Sequence, residues 1–197
     1  MTAPFDYPDA IWRLCGNIVQ RLPVFASVEM NRVAVSFNWT RVEGRFGVWA
    51  SLTPLRFEGG AVEKKRYGIS WRMPEVRVDG FERPLLYVLS IYVPRFLDLP
   101  VREKMETVIH ELYHISPMFN GDVRRFPGKH YAHGSKKKYD ARVKVLTTQW
   151  LRTDPPPEIW NFLCYNSQQM GQNGRKVVGR RVTIPRPVRV RPGTETV

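Results

Sequence analysis

The segment that most constrains this chain is residues 98–116, DLPVREKMETVIHELYHIS. Val101, Met105, Val108, Leu112 and Ile115 recur there at steps of four and three. That spacing lays one apolar stripe along a helix, so the rest of the chain must supply a core for it. Asp98 is the predicted N-cap and Pro100 suits the first turn. His110 and His114 fall off the stripe. Standing four apart, they share a helix face, and both imidazoles can reach one cation. Glu111 is turned about 100° further round, within reach of a water beside that cation but not easily of the cation itself. Two ligands, a general base, and room for a third ligand and a water are what a zinc hydrolase requires.

All four histidines lie between His110 and His133. A catalytic zinc usually takes three protein ligands and keeps one position for water. The candidates for the third are His130, His133 and Asp140. If His130 and His133 both bound, the sphere would close and the site would be structural. One of them suffices for an open site, leaving the other, or Asp140, to orient a ligand imidazole. Tyr113, Tyr131 and Tyr139 are the nearby candidates for hydrogen-bonding a developing oxyanion.

The chain in order reads as an α+β domain. Ile11, Leu14, Ile18 and Leu22 predict an amphipathic helix over 8–22, after a loose 1–6. Residues 32–39, RVAVSFNW, alternate as a half-buried strand. Strands are also predicted over 47–53 and 67–73, and short connections between the three imply an antiparallel meander. Residues 85–93, LLYVLSIYV, suit a strand covered on both faces or a short buried helix. Breakers mark 116–129 as a loop. Ser135 is a predicted N-cap for a helix carrying Tyr139, Val143, Leu146 and Trp150, and a further short helix is predicted over 158–169. The expected architecture is one domain over 1–170, with a short, mostly antiparallel sheet packed against the H-E-x-x-H helix and further helices.

From residue 171 seven Lys/Arg accompany one Glu and three prolines, which predicts a basic, flexible tail over 171–197; its VVGRRVTI could instead form an edge strand. The whole chain of 197 residues carries a net charge of +13, which favours polyanionic partners. Lys136, Lys137, Lys138, Arg175, Lys176, Arg180 and Arg181 are the candidate contacts to DNA or another nucleic acid. Only two cysteines are present, Cys15 and Cys164, both expected as buried thiols, and no C-x-x-C occurs. No secretory signal is apparent, and the longest apolar run is too short to span a bilayer, so no membrane association and a cytoplasmic location are expected.

HELYH, a loop, and then HGSKKKY resembles the SprT-like metallopeptidases, the group that includes the Spartan DNA–protein-crosslink proteases. In that family an H-E-x-x-H helix is followed by a loop and a His-Gly segment opening a helix, with an aromatic residue shortly after. Here the pattern falls on His133, Gly134 and Tyr139. The chain is also similar to phage zinc metallopeptidases of the same helix logic. The match spans about residues 85–150 and is loose outside the two histidine motifs. The resemblance implies a small zincin-like fold, Zn2+ on His110, His114 and His133, Glu111 as the base, and a protein or peptide substrate. Many SprT-like proteins carry a cysteine zinc ribbon that has no counterpart in this sequence, so the basic tail is left as the nucleic-acid contact. Two other functions fit the motif: a nucleic-acid-binding protein with a structural zinc, and a zinc hydrolase of a non-peptide amide or ester.

Overall fold

The computed structural model describes residues 4–40, 47–126, 135–172 and 177–190. They form an α+β fold of small sheets and five helices. After strand β1 (Phe5–Asp6), helix α1 (Tyr7–Arg21) begins where Asp6 accepts the Asp9 N–H at 2.9 Å. Its Ile11, Leu14 and Ile18 are fully buried, as their spacing predicts. Strands β2 (Val33–Trp39), β3 (Ala50–Pro54) and β6 (Tyr87–Val93) make the central sheet, with β6 in the middle.

The expected meander is not what forms. β2 runs parallel to β6, with Val33 opposite Tyr87, and β3 runs antiparallel to β6, with Leu52 opposite Leu89. The third predicted strand joins a separate sheet. There β5 (Ile69–Arg72) lies between β4 (Glu63–Arg66), a segment expected as connection, and β8 (Val188–Arg189). β6 takes the centre of the first sheet because its apolar run can be covered on both faces, and Val88, Leu89 and Ile91 are fully buried.

β2 is likewise covered on both faces, not half-buried. Val33, Val35 and Phe37 enter the main core with α1, while Ala34 packs with Leu55, Val76, Leu85, Val88 and Val182 on the other side. Residues 177–190, read from sequence as tail, help close that side. Arg180 O accepts the Phe37 N–H at 3.0 Å, and the Val182 N–H donates to Ser36 Oγ at 2.9 Å. Val177–Val178 forms β7, parallel to β1.

Helix α2 (Val101–Tyr113) carries the H-E-x-x-H motif. Met105, Val108, Leu112 and Ile115 are buried, each burial being worth about 1.5–3 kcal/mol over exposure. Asp98 does not cap it. Its carboxylate instead accepts the backbone N–H and hydroxyl of Ser167, and Pro100 holds the N-cap position without a side-chain bond. Helix α3 (Lys136–Leu151) follows Ser135 and buries Tyr139, Val143, Leu146 and Trp150.

The helix expected over 158–169 is broken into α4 (Pro157–Trp160), a 3-10 turn (Asn161–Cys164) and α5 (Ser167–Gln172). Lys104, only 1% exposed, explains the break. Its ammonium donates to the carbonyls of Leu163 at 2.7 Å and Tyr165 at 2.9 Å, drawing both out of any helical ladder. Asn166 and Gln169 then exchange side-chain and backbone bonds as a capping box for α5. The same turn leaves Cys164 exposed, against expectation, while Cys15 is buried. Among the described residues no helix is long and apolar enough to cross a membrane.

Candidate metal centre

The two motif histidines sit at the C-terminal end of α2, His110 in the last turn and His114 at the C-cap. Their Nε2 atoms lie 3.2 Å apart. Two imidazole nitrogens held by one tetrahedral zinc, at about 2.05 Å each, would stand about 3.3 Å apart. The pair therefore already has the spacing that a shared cation demands. His130, His133 and Tyr131 lie outside the described residues; of the three candidates for the third ligand, only Asp140 is described. Among the described residues, no three His, Cys, Asp or Glu side chains converge in a way that could hold a metal.

A helix end leaves its last four carbonyls without intrahelical donors. In α2 each is engaged, and this fixes the turn that bears the histidines. His110 O accepts the Tyr139 hydroxyl at 3.1 Å. Glu111 O and Leu112 O accept the N–H groups of His114 and Ile115. Tyr113 O accepts Arg124 Nε at 2.8 Å, and the Arg124 N–H donates to His114 O at 2.6 Å. The Arg124 guanidinium also lies over the Tyr113 ring, 4.3 Å from its centroid.

The loop that brings Arg124 back is itself tied down. The Tyr87 hydroxyl donates to Asp122 O and accepts the Gly121 N–H. Asp122 accepts from Gly59 N and from Arg125. That hold on the turn bearing the two histidines was invisible in the sequence, where Arg124 carried no more signal than any basic loop residue.

Tyr139, on α3, was expected among the oxyanion donors. It is 3% exposed, and its ring stacks on His114 at 5.0 Å and meets the His110 ring edge at 4.8 Å. Burial pushes its hydroxyl pKa up, and the nearby Glu111 charge adds to the effect. Tyr113 lies 5.1 Å from it, ring to ring. Asp140 is half-buried beside Tyr139, and Lys136, Lys137 and Lys138 are exposed at the start of α3. Arg180 and Arg181 are exposed; Arg175 and Lys176 lie outside the described residues.

Glu111 is 7% exposed. Burial raises its carboxyl pKa to about 7, against a smaller downward pull from the Leu52 backbone N–H that donates to it. A carboxylate with that pKa exchanges protons near neutral pH, as a general base must. Leu52 belongs to β3, so the central sheet and α2 hold the carboxylate between them.

No family model, no curated protein and no solved structure matches this chain.

Proposed function

We propose that this chain is a zinc-dependent metallopeptidase of the H-E-x-x-H type. The observation that carries the reading is the 3.2 Å approach of His110 Nε2 and His114 Nε2, with Glu111 adjacent and nearly excluded from water. These histidines, with His133 as the third ligand, would hold zinc. Zinc in such a site acidifies water and polarises a carbonyl.

The chain's own groups do the rest. Glu111 accepts a proton at its carboxylate and returns it to the departing amine. Tyr139 acts as a positioning residue. It spends its hydroxyl proton on His110 O and uses its ring to set the planes of both imidazoles.

A peptide is the favoured substrate because β3 has a single strand neighbour, β6, among the described residues. An extended chain laid along the outer edge of β3 would pass Glu111, which Leu52 already contacts. The net charge of +13 favours proteins associated with nucleic acid.

The reading is tested by zinc analysis and by digestion of an unfolded protein substrate. Wild type is expected to hold one zinc per chain and to cut. His110→Ala is expected to lose both properties. Cleavage by zinc-free protein, or by the His110→Ala variant at the wild-type rate, would refute it.

A further inference from the structure

The second sheet has two unlike faces. Lys64 lies opposite Trp71, Arg66 opposite Ile69, and Trp71 opposite Arg189, so these five side chains share one face. The acid of β4, Glu63, lies opposite Arg72 on the other face and pairs with it at 2.6 Å. The Trp71 face is thus cationic and aromatic with no acid from its own strands. Among the described residues none of Lys64, Arg66, Arg186 and Arg189 is in an ion pair. A groove of about 500 Å³ opens on this face, lined by Arg66, Tyr67, Ile69, Trp71, Arg186 and Pro187.

The hairpin tip adds a second, independent observation. Tyr67 and Gly68 form the two-residue turn between β4 and β5, with φ of 50° and 76°. Asn, Asp and Gly take that left-handed position far more readily than a bulky aromatic residue. Tyr67 nonetheless sits there 88% exposed, beneath the Arg66 guanidinium at 5.1 Å from its ring centroid. Core packing gives no return for the strain, and an exposed aromatic held in a strained turn points to a binding role.

We infer that the Lys64–Trp71 face of the β4–β5–β8 sheet, with Tyr67 at its tip, is a binding platform for single-stranded nucleic acid. Cations two residues apart along a strand, about 6.7 Å, track a phosphate backbone, and Tyr67 and Trp71 offer ring faces for unpaired bases. A duplex buries its base faces and would gain only the charge term. This surface is distinct from the start of α3, and the inference does not depend on the zinc reading.

The test is fluorescence anisotropy of the full chain with labelled single-stranded DNA and RNA oligonucleotides, the matching duplex, and phosphatidylserine vesicles as a competitor. Tyr67→Asn keeps a residue suited to the turn while removing the ring. It is expected to fold as well as wild type and to weaken single-strand binding about tenfold. Replacing Lys64, Arg66 and Arg189 by Ala is expected to reduce the slope of log affinity against log salt by about 2, since each phosphate contact to a single strand contributes about 0.7. Binding of either single strand in preference to the duplex and vesicles supports the proposal. Wild-type affinity in Tyr67→Asn, an unchanged salt slope in the triple variant, preference for duplex or vesicles, or no binding at all would each overturn it.

Discussion

The Tyr139 hydroxyl donates to His110 O at 3.1 Å, across the interface of α2 and α3. The N–H that would occupy that carbonyl in a longer helix belongs to His114, and it turns to Glu111 O instead. The tyrosine therefore takes over a helical hydrogen bond at the residue that begins the motif, and its ring packs against both motif imidazoles.

Removing only the oxygen isolates that role. Tyr139→Phe keeps the ring stacked on His114 and removes the bond to His110 O, a half-buried carbonyl. The expected cost is about 1–2 kcal/mol of stability, read from urea denaturation. Zinc affinity is expected to fall with it, because the His110 turn is no longer pinned. Unchanged stability and zinc affinity would mean that the bond contributes nothing.

Glu111 makes stability depend on pH. Its folded pKa of about 7 lies above the ordinary 4.5, so the folded state binds the proton more tightly than the unfolded state. Below the lower value both states are protonated, and no penalty exists. As pH rises through the folded value, the penalty becomes complete, about 3 kcal/mol at most. In metal-stripped protein, Glu111→Gln is expected to be more stable than wild type at pH 8 and nearly equal to it at pH 4. Denaturation curves at the two pH values check this, and a stability difference that does not change with pH would contradict it.

The packing of residues 177–190 on β2 has its own probe. A Cβ built on Gly179 would stand 2.6 Å from three atoms of the Phe37 side chain, which is itself in the core. Gly179→Ala is expected to cost about 1–3 kcal/mol, an overpacking penalty, measured as a drop in Tm. If this segment were a detached tail, the substitution would be silent.

Local patterns in the sequence were legible and long-range ones were not. The stripe from Met105 to Ile115 and the row from Tyr139 to Trp150 are periodic within one segment, and both bury as their spacing requires. Partners distant in sequence overrode local signals elsewhere. Ser167 claims Asp98, which then cannot cap α2. Lys104 draws out the carbonyls of Leu163 and Tyr165 and so breaks a helix that composition alone would continue. The parallel register of Val33 with Tyr87 leaves no trace in either segment, since alternation says that a strand exists but not which neighbour it meets. Within the site, the spacing of His110, Glu111 and His114 was readable, whereas the Tyr139 and Arg124 bonds that complete the end of α2 were not.

The most direct measurement compares wild type with Glu111→Gln, matched for zinc content, in hydrolysis of an unfolded protein. Both are expected to retain one zinc, because Glu111 is assigned to the proton and not to the metal. Only wild type is expected to cleave, with the variant's rate lower by at least about a hundredfold, the scale of a lost general base. Equal cleavage by the two zinc-loaded proteins, or loss of zinc from the variant, would contradict the assignment of His110, His114 and Glu111 to a hydrolytic centre.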